Sequence, residues 1–121
     1  WLFDIFKKKQ GDEQNQSVLD FSTIDSNEKA QALFAKGQLV KLYVMPLDFR
    51  GQDSSINTLF VPESANNQKN NFDSKIANML ESGIQIQYSA GPEYKGSSFI
   101  PSKLIINITG DKIITEVIDI W

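Results

Sequence analysis

The sequence predicts an α+β fold: an antiparallel sheet of about five strands with two helices packed on one face. Three observations lead there. Ile84, Ile86 and Tyr88 alternate with Gln85, Gln87 and Ser89, the period-two pattern of a strand with one wet face. Leu104, Ile106 and Ile108 alternate in the same way with Lys103, Asn107 and Thr109, and after Gly110-Asp111 the run Ile113–Ile120 is again β-branched. Glycine at the first central position suits a type II′ turn, so these last two runs are expected to form a tight hairpin, with Ile106 facing the core opposite Ile114 or its neighbour. The third observation is a pair of helical apolar stripes, described below.

The chain has 121 residues and 40% hydrophobic content, enough for a single domain that buries about two-thirds of its unfolded surface. Cysteine is absent, which removes disulfides, thiolate nucleophiles and sulfur-ligated zinc. Histidine is absent as well, so Ser-His-Asp and Cys-His catalysis, imidazole general bases and nearly all zinc and non-haem iron sites are out of reach. The net charge of −3 gives no generic attraction to nucleic-acid phosphates. No stretch approaches the length of a transmembrane span.

Residues 1–17 form an N-terminal amphipathic segment and polar linker, and residues 18–121 the predicted domain. Trp1–Lys9, WLFDIFKKK, sets Trp1, Leu2, Phe3, Ile5 and Phe6 before three lysines. Two readings stay open: a peripheral membrane anchor, or a short helix capping the core. It is not a signal peptide, because its positive charges follow the apolar residues and its apolar run is short and carries Asp4. The chain opens at Trp1 rather than methionine, which leaves room for residues upstream. Gln10–Ser17 has no apolar residue and reads as a connection.

A first helix is predicted over Asp25–Lys36, with Asp25 and Glu28 as a capping box, Ala30, Leu33 and Phe34 as the apolar stripe, and Gly37 as the C-terminal stop. Strands are predicted over Leu39–Met45 and Asn57–Val61, ended by Pro46 and Pro62, with the polar loop Leu47–Ile56 between them. Glu63–Asn71 reads as a polar loop, and a second helix over Phe72–Ser82 presents Phe72, Ile76, Met79 and Leu80 on one face. Gly83 ends it.

The carboxylates offer no catalytic pair. Asp48 and Asp53 share a loop without calcium-loop spacing, and Glu116 and Asp119 fall on opposite faces of one strand. Catalytic residues, metal ligands and cofactors are therefore expected to be none. In the loop Ala90–Pro101, AGPEYKGSSFIP, Lys95 precedes Gly96, which is the wrong order for a phosphate loop. The same loop can hold Tyr94, Lys95 and Phe99 in a restricted shape beside one another. These three are the candidate binding residues, since a rigid display of aromatics and a cation loses little entropy on docking. The alternative is that Tyr94 and Phe99 fold back and plug one end of the sheet.

From about Asp48 to Asp111 the order FRGQD, NTLFVP, NN, a helix, GIQIQY, YKG and TGD resembles the C-terminal half of the DNA/RNA non-specific endonucleases, the ββα-metal family. By that resemblance Asn57 matches the family's first asparagine, and Asn66 or Asn67 its metal-binding one. The family's Asp-Arg-Gly-His motif and its general-base histidine have no counterpart, which implies a divergent or inactive relative. Taken together, the expected function is non-enzymatic: a small acidic cytoplasmic protein that binds another macromolecule, with an immunity or inhibitor protein of a bacterial toxin as one form. The expected partner is another protein rather than nucleic acid, with weak membrane contact through residues 1–9 left open; the rival functions are a divergent hydrolase or nuclease using carboxylates and asparagines around a divalent ion, and a membrane-peripheral accessory domain.

Overall fold

The computed structural model describes residues 19–121. Trp1–Lys9 and the linker that follows lie outside the described residues. Helix α1 is Asn27–Ala35, followed by β1 Val40–Tyr43, β2 Thr58–Val61, α2 Glu63–Glu81, β3 Ile86–Tyr94, β4 Pro101–Gly110 and β5 Ile114–Asp119. The fold is α+β, as the alternating and helical stripes predict.

The five strands do not share one sheet. β1 and β2 form a two-stranded antiparallel ribbon, and β3, β4 and β5 form a three-stranded antiparallel sheet in that order. What joins them is α2, which packs against both β1 and β5. Leu42 and Val61 of the ribbon meet Ala65, Phe72 and Ile76 of the helix and Leu104, Ile106, Ile108 and Ile118 of the sheet in one buried cluster. A smaller cluster of Ala30, Leu39 and Ile100 seats α1 over β2. Trp121 packs against both clusters.

Helix α2 begins nine residues before Phe72, directly after Pro62. The polar stretch Glu63–Asn71 is thus its first half rather than a loop. Its buried residues are Ala65, Lys69, Phe72 and Ile76, spaced i, i+4, i+7 and i+11 along one face. A lysine stands where the stripe calls for an apolar residue, which hides the helical period from a reading of hydrophobicity. Both helices end in the same way. Gly37 and Gly83 adopt positive φ, and Gln38 and Ile84 donate back to the carbonyls of Leu33 and Met79 at 2.9 and 3.1 Å. The N-cap of α1 is Ser26 rather than Asp25: its hydroxyl accepts from the Lys29 amide at 3.2 Å, and Asp25 instead pairs with the Lys29 ammonium at 2.8 Å.

Strand β3 continues through Gly91 and Pro92 to Tyr94, so only residues 95–100 of the expected loop are irregular. Pro92 is tolerated because β3 lies at the sheet edge, where a missing N–H can face outward. The register shifts between Glu93 and Tyr94, a bulge that re-aims the strand end. The β4–β5 connection is longer than a two-residue turn, since the last pair is Ile108 with Ile114. Gly110 stays in the ladder opposite Ile86, and Asp111 accepts from the Gln85 amide at 2.9 Å, which holds the chain on β3 before it reverses. Ile106 is fully buried as expected, but its partner across the ladder is Glu116.

Candidate binding groove

The loop after β3 is tied to the beginning of the described chain. Ser98 donates its hydroxyl to the Phe21 carbonyl, and the Phe99 amide donates to the Ile24 carbonyl, both at 2.7 Å. Ser98 also accepts from the Ile100 amide at 3.1 Å. These bonds turn Phe99 outward, where it is 50% exposed, while Ile100 plugs the small core.

The bulge at the end of β3 places Tyr94 beside Phe99. Together with Phe34 of α1 and Phe60 of β2 they line a groove of about 610 Å³. The Phe34 and Phe60 rings lie 5.2 Å apart in a tilted pair. Lys41 of β1 lies at the groove, with its ammonium 5.7 Å from the Phe34 ring centroid and 3.8 Å from Asp53. Partial burial raises the Tyr94 hydroxyl above its ordinary pKa, so it stays a neutral hydrogen-bonding group at physiological pH.

Two of the three sequence-predicted residues therefore meet in one groove, about half exposed. Lys95 does not join them: its ammonium sits 4.7 Å from the Trp121 ring centroid. Phe34 and Phe60 complete the groove without any sequence signal of their own, because each reads as an ordinary member of a helix stripe or a strand.

A second concavity, of about 440 Å³, lies between α2 and the turn Leu47–Phe49. At its wall the Lys69 side chain, 2% exposed, pairs through its ammonium with Asp73 one helical turn on. The other Asp73 oxygen accepts from the Tyr88 hydroxyl at 2.6 Å. Burial lowers the Lys69 pKa against the opposing pull of Asp73, and burial together with Asp73 pushes the Tyr88 hydroxyl well up. Asn66 lines this cavity, whereas Asn67 is exposed. Asn57 is used elsewhere: its side chain accepts from the Met45 amide at 2.7 Å and donates to the Met45 and Gln52 carbonyls at 2.9 and 3.0 Å, closing the loop between β1 and β2. Among the described residues no three acidic side chains come together as a metal site, and no helix is long and apolar enough to cross a membrane.

The chain matches no family model, no curated protein and no solved structure.

Proposed function

We propose that this chain is a non-enzymatic domain that binds another protein in the cytoplasm through the groove of Phe34, Phe60, Tyr94 and Phe99. The observation that carries this reading is the convergence of four aromatic rings from α1, β2, β3 and the following loop on one open concavity. Aromatic rings supply large contact area at low cost in rotamer freedom, and they dominate binding energy where a partner covers them. The formal charge of −3 suits a basic partner, which makes an immunity or inhibitor protein of a bacterial toxin the specific form we favour.

The test compares the parent chain with Tyr94→Ala and Phe99→Ala as baits, measuring affinity for a partner isolated with the parent. Each substitution is expected to weaken binding about tenfold or more, roughly 1.4 kcal/mol, while the urea midpoint hardly moves. Equal affinity in both variants would remove the groove from the interface.

A further inference from the structure

We propose that the cavity between α2 and the Leu47–Phe49 turn binds a small, neutral, hydroxyl-rich molecule, a sugar or polyol. Its volume of about 440 Å³ lies within the range of small-molecule sites. Its wall holds a buried group with hydrogen-bonding capacity to spare. An ammonium carries three donors; among the described residues the one hydrogen-bond acceptor for Lys69 is Asp73, and its ammonium also lies 5.7 Å from the Tyr88 ring centroid, which leaves donors without an oxygen partner. Such donors are costly to bury unmet, and a ligand hydroxyl at the cavity wall meets them.

The lining charges balance, Lys41 and Lys69 against Asp48 and Asp73, so the cavity exerts no net pull on an ion of either sign. An ion of either sign entering the cavity meets as many like charges as opposite ones. A hydroxyl both donates and accepts, and so satisfies Lys69 and the carboxylates together. Asn66 and Asn70, one turn apart on α2, add carboxamides that also donate and accept. Leu47 and Phe49 give an apolar wall on which the C–H face of a sugar ring can rest.

The experiment records amide and side-chain NMR shifts of the full chain against glucose, N-acetylglucosamine and myo-inositol, with glucuronate and glucosamine as charged counterparts. Saturable shifts at Asn66 and Asn70 with at least one neutral probe, and weaker binding of both charged analogues, are expected. Asn70 is exposed, so Asn70→Ala leaves the fold intact, and it should weaken that binding about tenfold. Tyr94→Ala should leave it unchanged, which separates this site from the aromatic groove. Absence of saturable shifts with every neutral probe, shifts confined to the groove, tighter binding of a charged analogue, or undiminished binding by Asn70→Ala would each overturn the proposal.

Discussion

Lys69 and Asp73 form a 2.5 Å ion pair on the inner face of α2, with side chains only 2% and 14% exposed. Charges this deep attract each other strongly, but both have lost their water, so the pair stabilises less than its geometry suggests. Removing one partner is a different matter. Asp73→Ala should cost about 3 to 5 kcal/mol by stranding a buried ammonium, and adding Lys69→Met to it should recover most of that loss. Urea denaturation of the two single variants and the double variant measures this. Additive losses would show that the charges act independently.

The Tyr88 hydroxyl makes the fold sensitive to alkali. Its folded pKa is raised above the ordinary 10.0, first by burial and then by Asp73. Above about pH 10 the unfolded chain releases this proton while the folded chain keeps it, so stability falls as pH rises. Lys69 acts in the opposite sense: its folded pKa lies below 10.5, so between that value and 10.5 the unfolded chain binds the extra proton and stability rises with pH. Tyr94, raised by burial, contributes in the same falling sense, so Tyr88→Phe removes one falling contribution and leaves that one and the Lys69 contribution in place. Urea midpoints from about pH 8 to about 11 should decline less steeply in Tyr88→Phe than in the parent. Parallel curves would dismiss Tyr88 as the cause.

Gly51 is fixed by crowding rather than by its own dihedral angles. A Cβ there would collide with the Met45 carbonyl oxygen and lie 2.8 Å from that of Pro46, both backbone atoms that cannot swing aside. Gly51→Ala should therefore destabilise by about 2 kcal/mol or more, through strain in the loop that Asn57 clamps. The thermal midpoint checks it, with Gly91→Ala, where a Cβ meets nothing within 4 Å, as the control.

Ile106 sits at the centre of the core on the middle strand of its sheet. Ile106→Asp would bury a carboxylate beside Glu116, its partner across the ladder, at a cost of several kcal/mol. Loss of the cooperative unfolding transition in circular dichroism is the expected result. A variant melting close to the parent would contradict the assigned register.

The strands β4 and β5 are legible because Leu104, Ile106 and Ile108 alternate strictly on the buried face of one and Ile118 lies on the buried face of the other. The separation of their sheet from β1 and β2 is not, since nothing in a strand's own residues says which neighbour it takes. The first half of α2 is hidden in the sequence because Lys69 occupies a core position and a lysine reads as polar whether or not Asp73 neutralises it. Tyr88 gave no warning either, for its contact with Asp73 joins elements 15 residues apart. At the groove, Tyr94 and Phe99 stood out through the prolines and glycines around them. Lys95 reads as part of the same display, and its ammonium lies over the ring of Trp121, 26 residues later, a neighbour that no local pattern announces.

The position of Trp121 gives the molecule a built-in optical probe. Its ring touches both hydrophobic clusters, meets Phe21 edge-on at 5.9 Å and donates its indole N–H to the Ile100 carbonyl at 3.0 Å. With Trp1 replaced by Phe, the remaining tryptophan emission of this sequence comes from this one ring. A red shift then signals water reaching the seam between the clusters, whichever side loosens first. Comparing the emission with far-ultraviolet dichroism during urea titration asks whether α1 and its small cluster come away before the main sheet. Coincident curves mean that the seam and the sheet unfold as one cooperative unit.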